Sequence, residues 1–171
     1  MNIMVQKAVQ DRKDLPKKAF IAEIFTTAVQ YLCAHKAINQ SNSCPHRFFP
    51  GQLAQSEVLV RLVMMEEMRS LNRQFRGKDY ATNVLSFPFE APYGLRVLFL
   101  GDIIICHQVV VAEARAQNKA LPDHYAHLLL HGWLHLLGYD HIEAEAATLM
   151  EQLEIDILAK LNINNPYEEM V

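Results

Sequence analysis

The chain has few cysteines and no long apolar run. Its three cysteines, Cys33, Cys44 and Cys106, are odd in number and widely spaced, so they provide neither a CxxC pair nor a disulfide framework. The N-terminal residues lack the apolar run that a secretory signal peptide requires. No stretch approaches the roughly 20 apolar residues of a membrane-spanning helix. We therefore expect a soluble cytoplasmic protein without a membrane partner.

The chain also lacks a large excess of charge. Of its 171 residues 51% are hydrophobic and 20% are charged, which is typical of a folded globular protein, and the formal net charge is only −3. The charges are nevertheless unevenly distributed. All charges between Met68 and Lys78 are basic, whereas eight acids and the single base Lys160 occur from Asp140 onwards. This pattern fits either a basic binding surface or two solvated faces of opposite sign.

Strand-like segments dominate the first two thirds of the chain, and a helical region follows. Four segments have the β-branched or apolar character of strands: 2–9, 58–63, 82–89 and 95–106, the last being one strand or two broken at Gly101. Five segments have helical periodicity: 20–32, 64–75, 109–117, 122–137 and 146–161. Residues 39–51 predict a surface loop. We predict an α+β fold in a single domain over residues 1–171, with a mixed sheet of about four strands packed against about five helices.

The predicted helix at 122–137 is apolar apart from a stripe of histidines. Its leucines and Trp133 leave almost no polar face, which indicates a central, buried helix. A buried imidazole is unfavourable unless its nitrogens find partners. His131 and His135 lie one turn apart, with Cβ atoms roughly 5–6 Å from each other. Two such imidazoles reach one metal ion at about 2.0–2.1 Å.

The third ligand of this zincin-like metal helix comes from beyond its end. Gly138 is expected to stop the helix in a left-handed turn, which lets His141 return toward the same point. The spacing H-x-x-x-H-x-x-G-x-x-H is that of the metzincin proteases. Three protein ligands with an open fourth position are typical of a catalytic metal site. Zinc is the expected ion, although nickel, cobalt or copper would also bind three imidazoles.

One residue of the zincin protease motif is missing. Those proteases have a glutamate directly after the first histidine as general base, and this chain has Gly132 there. Asp140 and Glu143 are alternative bases, or else they cap a helix or contact a ligand. His124 and His127 either support the ligands or are satisfied histidines of the core.

Three segments together resemble one family. HGWLHLLGYDH (131–141), LNRQFRGKDYATNVLSFPFE (71–90) and LGDIIIC (100–106) resemble the YbeY family, which are bacterial metal-dependent endoribonucleases that act in ribosomal RNA maturation. The resemblance covers roughly residues 55–161. The chain differs at Phe75, where the family usually has tyrosine, and at Ala81, where proline is common.

The resemblance implies a site and a biological setting. It matches His131, His135 and His141 to the family's metal ligands and Arg76 to its functionally important arginine. It implies a small α+β fold and a single-stranded RNA substrate, especially small-subunit ribosomal RNA near its 3′ end. It also implies association with the small ribosomal subunit and its assembly factors, and a role in ribosome quality control.

The chemistry of Arg76 agrees with this implication. A guanidinium binds phosphate oxygens bidentately, and a metal ion lowers the pKa of bound water to about 7, so the two together suit phosphodiester cleavage. Without the family, Arg76 would be interpreted as a surface arginine with no role. Arg73 and Lys78 could hold the RNA backbone, as could Arg69, although a solvated helix face explains the arginines equally well.

Three functions are consistent with the sequence. The first is a metal-dependent endoribonuclease, the second a non-catalytic ribosome assembly factor with a structural metal, and the third a zincin-like metallopeptidase. Gly132 opposes the third. Loss of RNA cleavage in metal-ligand variants that stay folded would distinguish the first from the second.

Overall fold

The computed structural model describes residues 1–10, 13–35, 50–92 and 97–168, so most of the predicted loop at 39–51 lies outside the described residues. Within these ranges the chain forms four strands: β1 (Asn2–Ala8), β2 (Glu57–Val63), β3 (Val84–Pro88) and β4 (Phe99–Cys106). It also forms six helices: α1 (Lys18–His35), α2 (Pro50–Leu53), α3 (Met65–Arg76), α4 (His107–Ala116), α5 (Leu121–Leu136) and α6 (Ala144–Lys160). The helix beyond the five predicted, α2, is a single turn.

The four strands form one mixed sheet in the order β1-β2-β4-β3. β1, β2 and β4 run parallel, and β3 pairs antiparallel with β4 at the edge. The central strands, EVLVRLV and FLGDIIIC, are nearly continuous apolar runs because one face of the sheet packs on α1 and α5 and the other on α3 and α4. Pro88 is the last residue of β3, the edge strand. Proline has no backbone N–H, and at this edge position no hydrogen bond between strands needs one. The predicted α+β class with a mixed sheet is confirmed.

Gly101 bends β4 without ending it. The register pairs Glu57 with Phe99 and Val58 with Gly101, so Leu100 is an extra residue and forms a bulge. Gly101 has a φ of 135°, and a Cβ there would lie 2.1 Å from the carbonyl oxygen of Phe87. Only glycine allows the edge strand to approach so closely. The segment is therefore one strand rather than two.

Helix α5 lies at the centre of the core. It contacts β3, β4, α1, α4 and α6, and its Trp133 is fully buried against Phe25 with ring centroids 5.9 Å apart. The helix ends where the glycine pattern predicted: Gly138 has a φ of 90° and its N–H donates to the carbonyl of His135. The chain then turns into α6, which packs back on α5. Among the described helices, none is both long enough and apolar enough to cross a membrane.

Candidate metal centre

His131, His135 and His141, here called the three-histidine cluster, converge as the spacing predicted. One nitrogen from each lies within 4.8 Å of the others, and the Nε2 atoms of His131 and His135 are 3.1 Å apart. Bonds of about 2.0–2.1 Å at a tetrahedral ion would place two nitrogens roughly 3.3 Å apart. The first two rings are half-buried and His141 is exposed, which leaves one side open. The cluster could therefore hold one metal ion with an open position.

The environment of His135 favours the neutral imidazole, which is the form that a metal ion binds. Burial, and secondarily the charges of His131 and His141, lower the pKa of His135 to about 4. The imidazole of His135 is therefore neutral at pH 7 and offers a nitrogen lone pair.

A buried carboxylate contacts His131 of the cluster and the neighbouring His127. Glu154 on α6 is fully buried, with Oε1 2.9 Å from Nδ1 of His131 and Oε2 3.0 Å from Nε2 of His127. The hydroxyl of Tyr167 also donates to Oε2. Burial alone would raise the pKa of Glu154, but the hydrogen bonds with His127 and His131 outweigh burial and hold it at about 2. A carboxylate only accepts hydrogen bonds, so Nδ1 of His131 carries the proton and its Nε2 is free to bind a metal ion.

Glu154 was not among the site residues predicted from the sequence. The available signal was its place within the apolar stripe of α6, one turn after Met150 and one turn before Leu158, both of which are buried. The two remaining histidines of α5 bond different carboxylates. His127 shares Glu154 with His131, whereas the buried His124 bonds Glu113 through Nε2 at 2.9 Å.

Gly132 has a packing reason. A Cβ at this position would lie 3.0 Å from both Cγ2 of Ile103 and Oγ of Ser86, and 3.4 Å from Cγ2 of Val84. Helix α5 therefore approaches β3 and β4 closely here, and any side chain larger than glycine would have to displace these three side chains. The position of the zincin general base is thus a tightly packed glycine in this chain.

Of the two acids after the helix, Asp140 has a local role in the described structure. Oδ1 of Asp140 accepts the N–H of Ile142 at 3.2 Å, which stabilises the turn around His141. Glu143 is the residue before the first turn of α6, and its side chain makes no capping hydrogen bond. Asp140 therefore stabilises the turn before α6, and Glu143, at the N-cap position of α6, makes no capping bond.

Arg76 lines one pocket together with His131 and His135 of the cluster. The pocket has a volume of about 230 Å3 and is lined by residues of α3, β3 and α5: Arg76, Val84, Leu85, Ser86, Pro88, His131 and His135. Arg76 is the last residue of α3, which Gly77 ends with a φ of 69°. Its Nη2 donates a long hydrogen bond of 3.4 Å to the carbonyl of Ser86, and its guanidinium carbon lies 6.0 Å from the ring centre of Phe87. The structure thus brings the predicted arginine and two predicted ligands together.

One of the basic side chains near Arg76 in sequence is paired with an acid. Arg69 makes a two-point ion pair with Asp79, at 2.9 and 2.8 Å, and the resulting hydrogen bonds lower the pKa of Asp79. The acid-free interval ends one residue before this partner, so the charge of Arg69 is largely matched. Arg73 and Lys78 are exposed close to Arg76 in sequence, at the end of α3 and just beyond it.

Known proteins share both the sequence and the fold. The family described as Endoribonuclease YbeY matches residues 8–162. The chain is 55% identical over 112 residues to the Endoribonuclease YbeY of Idiomarina loihiensis, covering 66% of this chain and 69% of that protein. It is 51% identical over 133 residues to that of Colwellia psychrerythraea, covering 78% and 81%.

A solution structure of a Thermotoga maritima protein has the same fold, with a TM-score of 0.51 and 22% identity over 97% of this chain and 99% of that one. The resemblance drawn from the three sequence segments is therefore confirmed by the family match and by relatives more than half identical. On these grounds the chain belongs to the Endoribonuclease YbeY family.

Proposed function

We propose that this chain is a metal-dependent endoribonuclease that cleaves single-stranded RNA in the pocket shared by Arg76 and the three-histidine cluster. One observation carries the proposal: α3 brings a guanidinium, and α5 brings His131 and His135, to one cavity. Family membership supports the reaction, since the relatives are named endoribonucleases.

The donor set favours a divalent transition metal, and we infer zinc. Three imidazoles, one of them fixed by Glu154 with Nε2 unprotonated, suit zinc at His131, His135 and His141, although nickel, cobalt or copper would also fit. A bound divalent ion supplies Lewis-acid chemistry, which activates a nucleophile and offsets charge on a phosphate.

Arg76 is the catalytic residue that we propose for phosphate recognition. Its single long bond to Ser86 leaves guanidinium N–H groups for two phosphate oxygens. Charge that develops on those oxygens during cleavage would be stabilised at that point. Arg73 and Lys78, which are exposed nearby, would attract the RNA backbone without reading its sequence.

The biological setting of the proposal follows the family. We propose that the substrate is ribosomal RNA, in particular the 3′ end of the small-subunit RNA, and that the protein acts in ribosome quality control. Its partners would be the small ribosomal subunit and its assembly factors, in the cytoplasm. We propose that residues 1–171 act as one domain, which a family match over residues 8–162 supports.

Cleavage of a defined single-stranded RNA tests the proposal. The native protein is compared with a His131→Ala/His135→Ala variant purified identically, and circular dichroism verifies that both are folded. We expect cleavage by the native protein alone, which would also exclude a contaminating nuclease. A duplex RNA that contains the same sequence should not be cleaved.

Two other results would replace the proposal. Equal cleavage by both proteins, or intact RNA with both, would favour a ribosome assembly factor whose metal is structural. Metal-dependent cleavage of an unfolded protein substrate would favour a metallopeptidase, which the packing around Gly132 opposes.

A further inference from the structure

Exposed aromatic rings concentrate beside the pocket. Four phenyl or phenol rings are exposed in the described part of the chain, and three of them fall between residues 75 and 89: Phe75 at 51%, Tyr80 at 54% and Phe89 at 39%. Phe75 lies on the last turn of α3, a polar helix whose buried residues are Met68 and Asn72. The half-exposed phenyl ring at that place leaves a flat apolar face open to solvent.

The ring of Phe75 is connected to the pocket by direct contacts. It packs edge-to-face on Phe87 of β3, with ring centroids 5.0 Å apart. Phe87 in turn lies under the guanidinium of Arg76, 6.0 Å from its central carbon, and Arg76 lines the pocket with His131 and His135. An exposed ring, a partly buried ring and a cation thus form a continuous row, and the cation lines the same pocket as His131 and His135.

The charges around this row select the kind of partner. Arg76 places a positive charge beside the Phe75–Phe87 contact, with its guanidinium carbon 6.0 Å from the centre of the Phe87 ring, and Arg73 and Lys78 are exposed nearby in sequence. An unpaired nucleotide has the complementary form, a flat base joined to a negative phosphate. Bases in a duplex are already stacked on their neighbours and cannot offer a free face.

We propose that Phe75, supported by Phe87, is a stacking platform for an unpaired nucleobase next to the phosphate held by Arg76. The inference rests on the proposed function and adds a binding site that selects single-stranded RNA of any sequence, since every base has a π-face. Phe75 touches none of the metal ligands among its described contacts, so it acts on RNA binding and not on the metal site.

Paired variants of the ring test the proposal. Phe75→Leu keeps an apolar side chain over Phe87 but removes the flat face, whereas Phe75→Trp keeps a flat ring. We expect Phe75→Leu to weaken binding of a fluorescent single-stranded RNA, and to raise KM for its cleavage, by about 5- to 150-fold, with unchanged metal content. Phe75→Trp should retain native binding. Phe20→Leu, a half-buried phenylalanine near the other end of α5, serves as the matched control.

RNA with one base removed makes the test specific for stacking. A series of oligonucleotides with an abasic site at successive positions around the cleavage point should contain one position that weakens native binding. With the RNA that lacks this base, Phe75→Leu should bind only slightly more weakly than the native protein, because the ring and the base interact with each other.

The outcomes separate this inference from the proposed function. RNA cleavage with native KM in Phe75→Leu overturns the platform and leaves the nuclease intact. Unchanged RNA binding together with lost co-sedimentation with small ribosomal subunits would overturn it in favour of a protein contact. A native protein that neither binds nor cleaves RNA overturns the proposed function and the platform with it.

Discussion

At the scale of single residues, the site depends on where protons sit. Glu154 stays ionised in the core because His127, His131 and Tyr167 all bond its carboxylate. A buried charge without such partners would be strongly unfavourable. The consequence for His131 is a fixed tautomer and ring orientation, with Nε2 3.1 Å from Nε2 of His135. We therefore expect the carboxylate to influence metal binding through its hydrogen bond to His131.

Replacing this carboxylate by an amide tests its role. Glu154→Gln keeps the shape of the side chain but allows its nitrogen to face His131, so Nδ1 no longer needs to carry the proton. We expect metal affinity to fall by about 10- to 100-fold, measured by competition with a chromophoric chelator. Glu151→Gln, an exposed acid on the same helix, should retain native affinity. Equal affinity in both variants would show that Glu154 only fills space.

At the scale of elements, the contact between α5 and the sheet decides which chemistry is possible. The two meet at Gly132, where side chains of β3 and β4 lie within 3.0 to 3.4 Å of an added Cβ. This close approach also places His131 and His135 on the same pocket as Ser86. Gly132 thus occupies the position of the general base in the proteases. The same glycine allows β3 to lie close to the helix that carries His131 and His135.

Restoring the glutamate of the proteases tests this packing. Gly132→Glu would force a carboxylate against Ile103 and Val84, and we expect a loss of about 3 kcal/mol or more in the free energy of unfolding, measured by urea denaturation. Gly51→Glu is the matched control, since nothing lies within 4 Å of a Cβ there. A Gly132→Glu protein as stable as the control would mean that space does not exclude the base.

The same contacts show what the sequence could predict. The convergence of His131, His135 and His141 and the turn at Gly138 were predictable, because helical periodicity and a glycine stop act within eleven residues. The bond from Glu154 to His131 joins residues 23 positions apart through the packing of α6 on α5, which no local pattern specifies. Asp79, the partner of Arg69, is the first residue after the basic stretch that ends at Lys78. The charges within that stretch therefore did not predict this ion pair.

At the scale of the whole molecule, the candidate site is also a source of pH-dependent stability. The pKa of His135 is lowered to about 4 by burial and by neighbouring histidines, against an ordinary value of 6.5. The unfolded chain therefore binds a proton more readily than the folded chain between these values. Stability from this group is fully present above pH 6.5 and is lost as the pH falls toward 4.

Denaturation of the chelator-treated protein across this range tests the linkage. We expect the urea midpoint of the native protein to fall between pH 6.5 and 4, and that of His135→Leu to fall less steeply, because the leucine does not titrate. Parallel pH profiles for the two proteins would contradict the lowered pKa. The slope is the relevant quantity, since leucine also changes the packing.

The central claim is that Arg76 and the three-histidine cluster form one active site, and one measurement tests it most directly. Bound metal and cleavage of single-stranded RNA are measured together for the native protein, Arg76→Ala, and Arg115→Ala, which removes an exposed arginine on α4. We expect all three to bind metal equally, and Arg76→Ala alone to lose about 100-fold or more in cleavage rate. Full RNA cleavage by metal-loaded Arg76→Ala would contradict the account, because the guanidinium in the pocket would then take no part in the reaction.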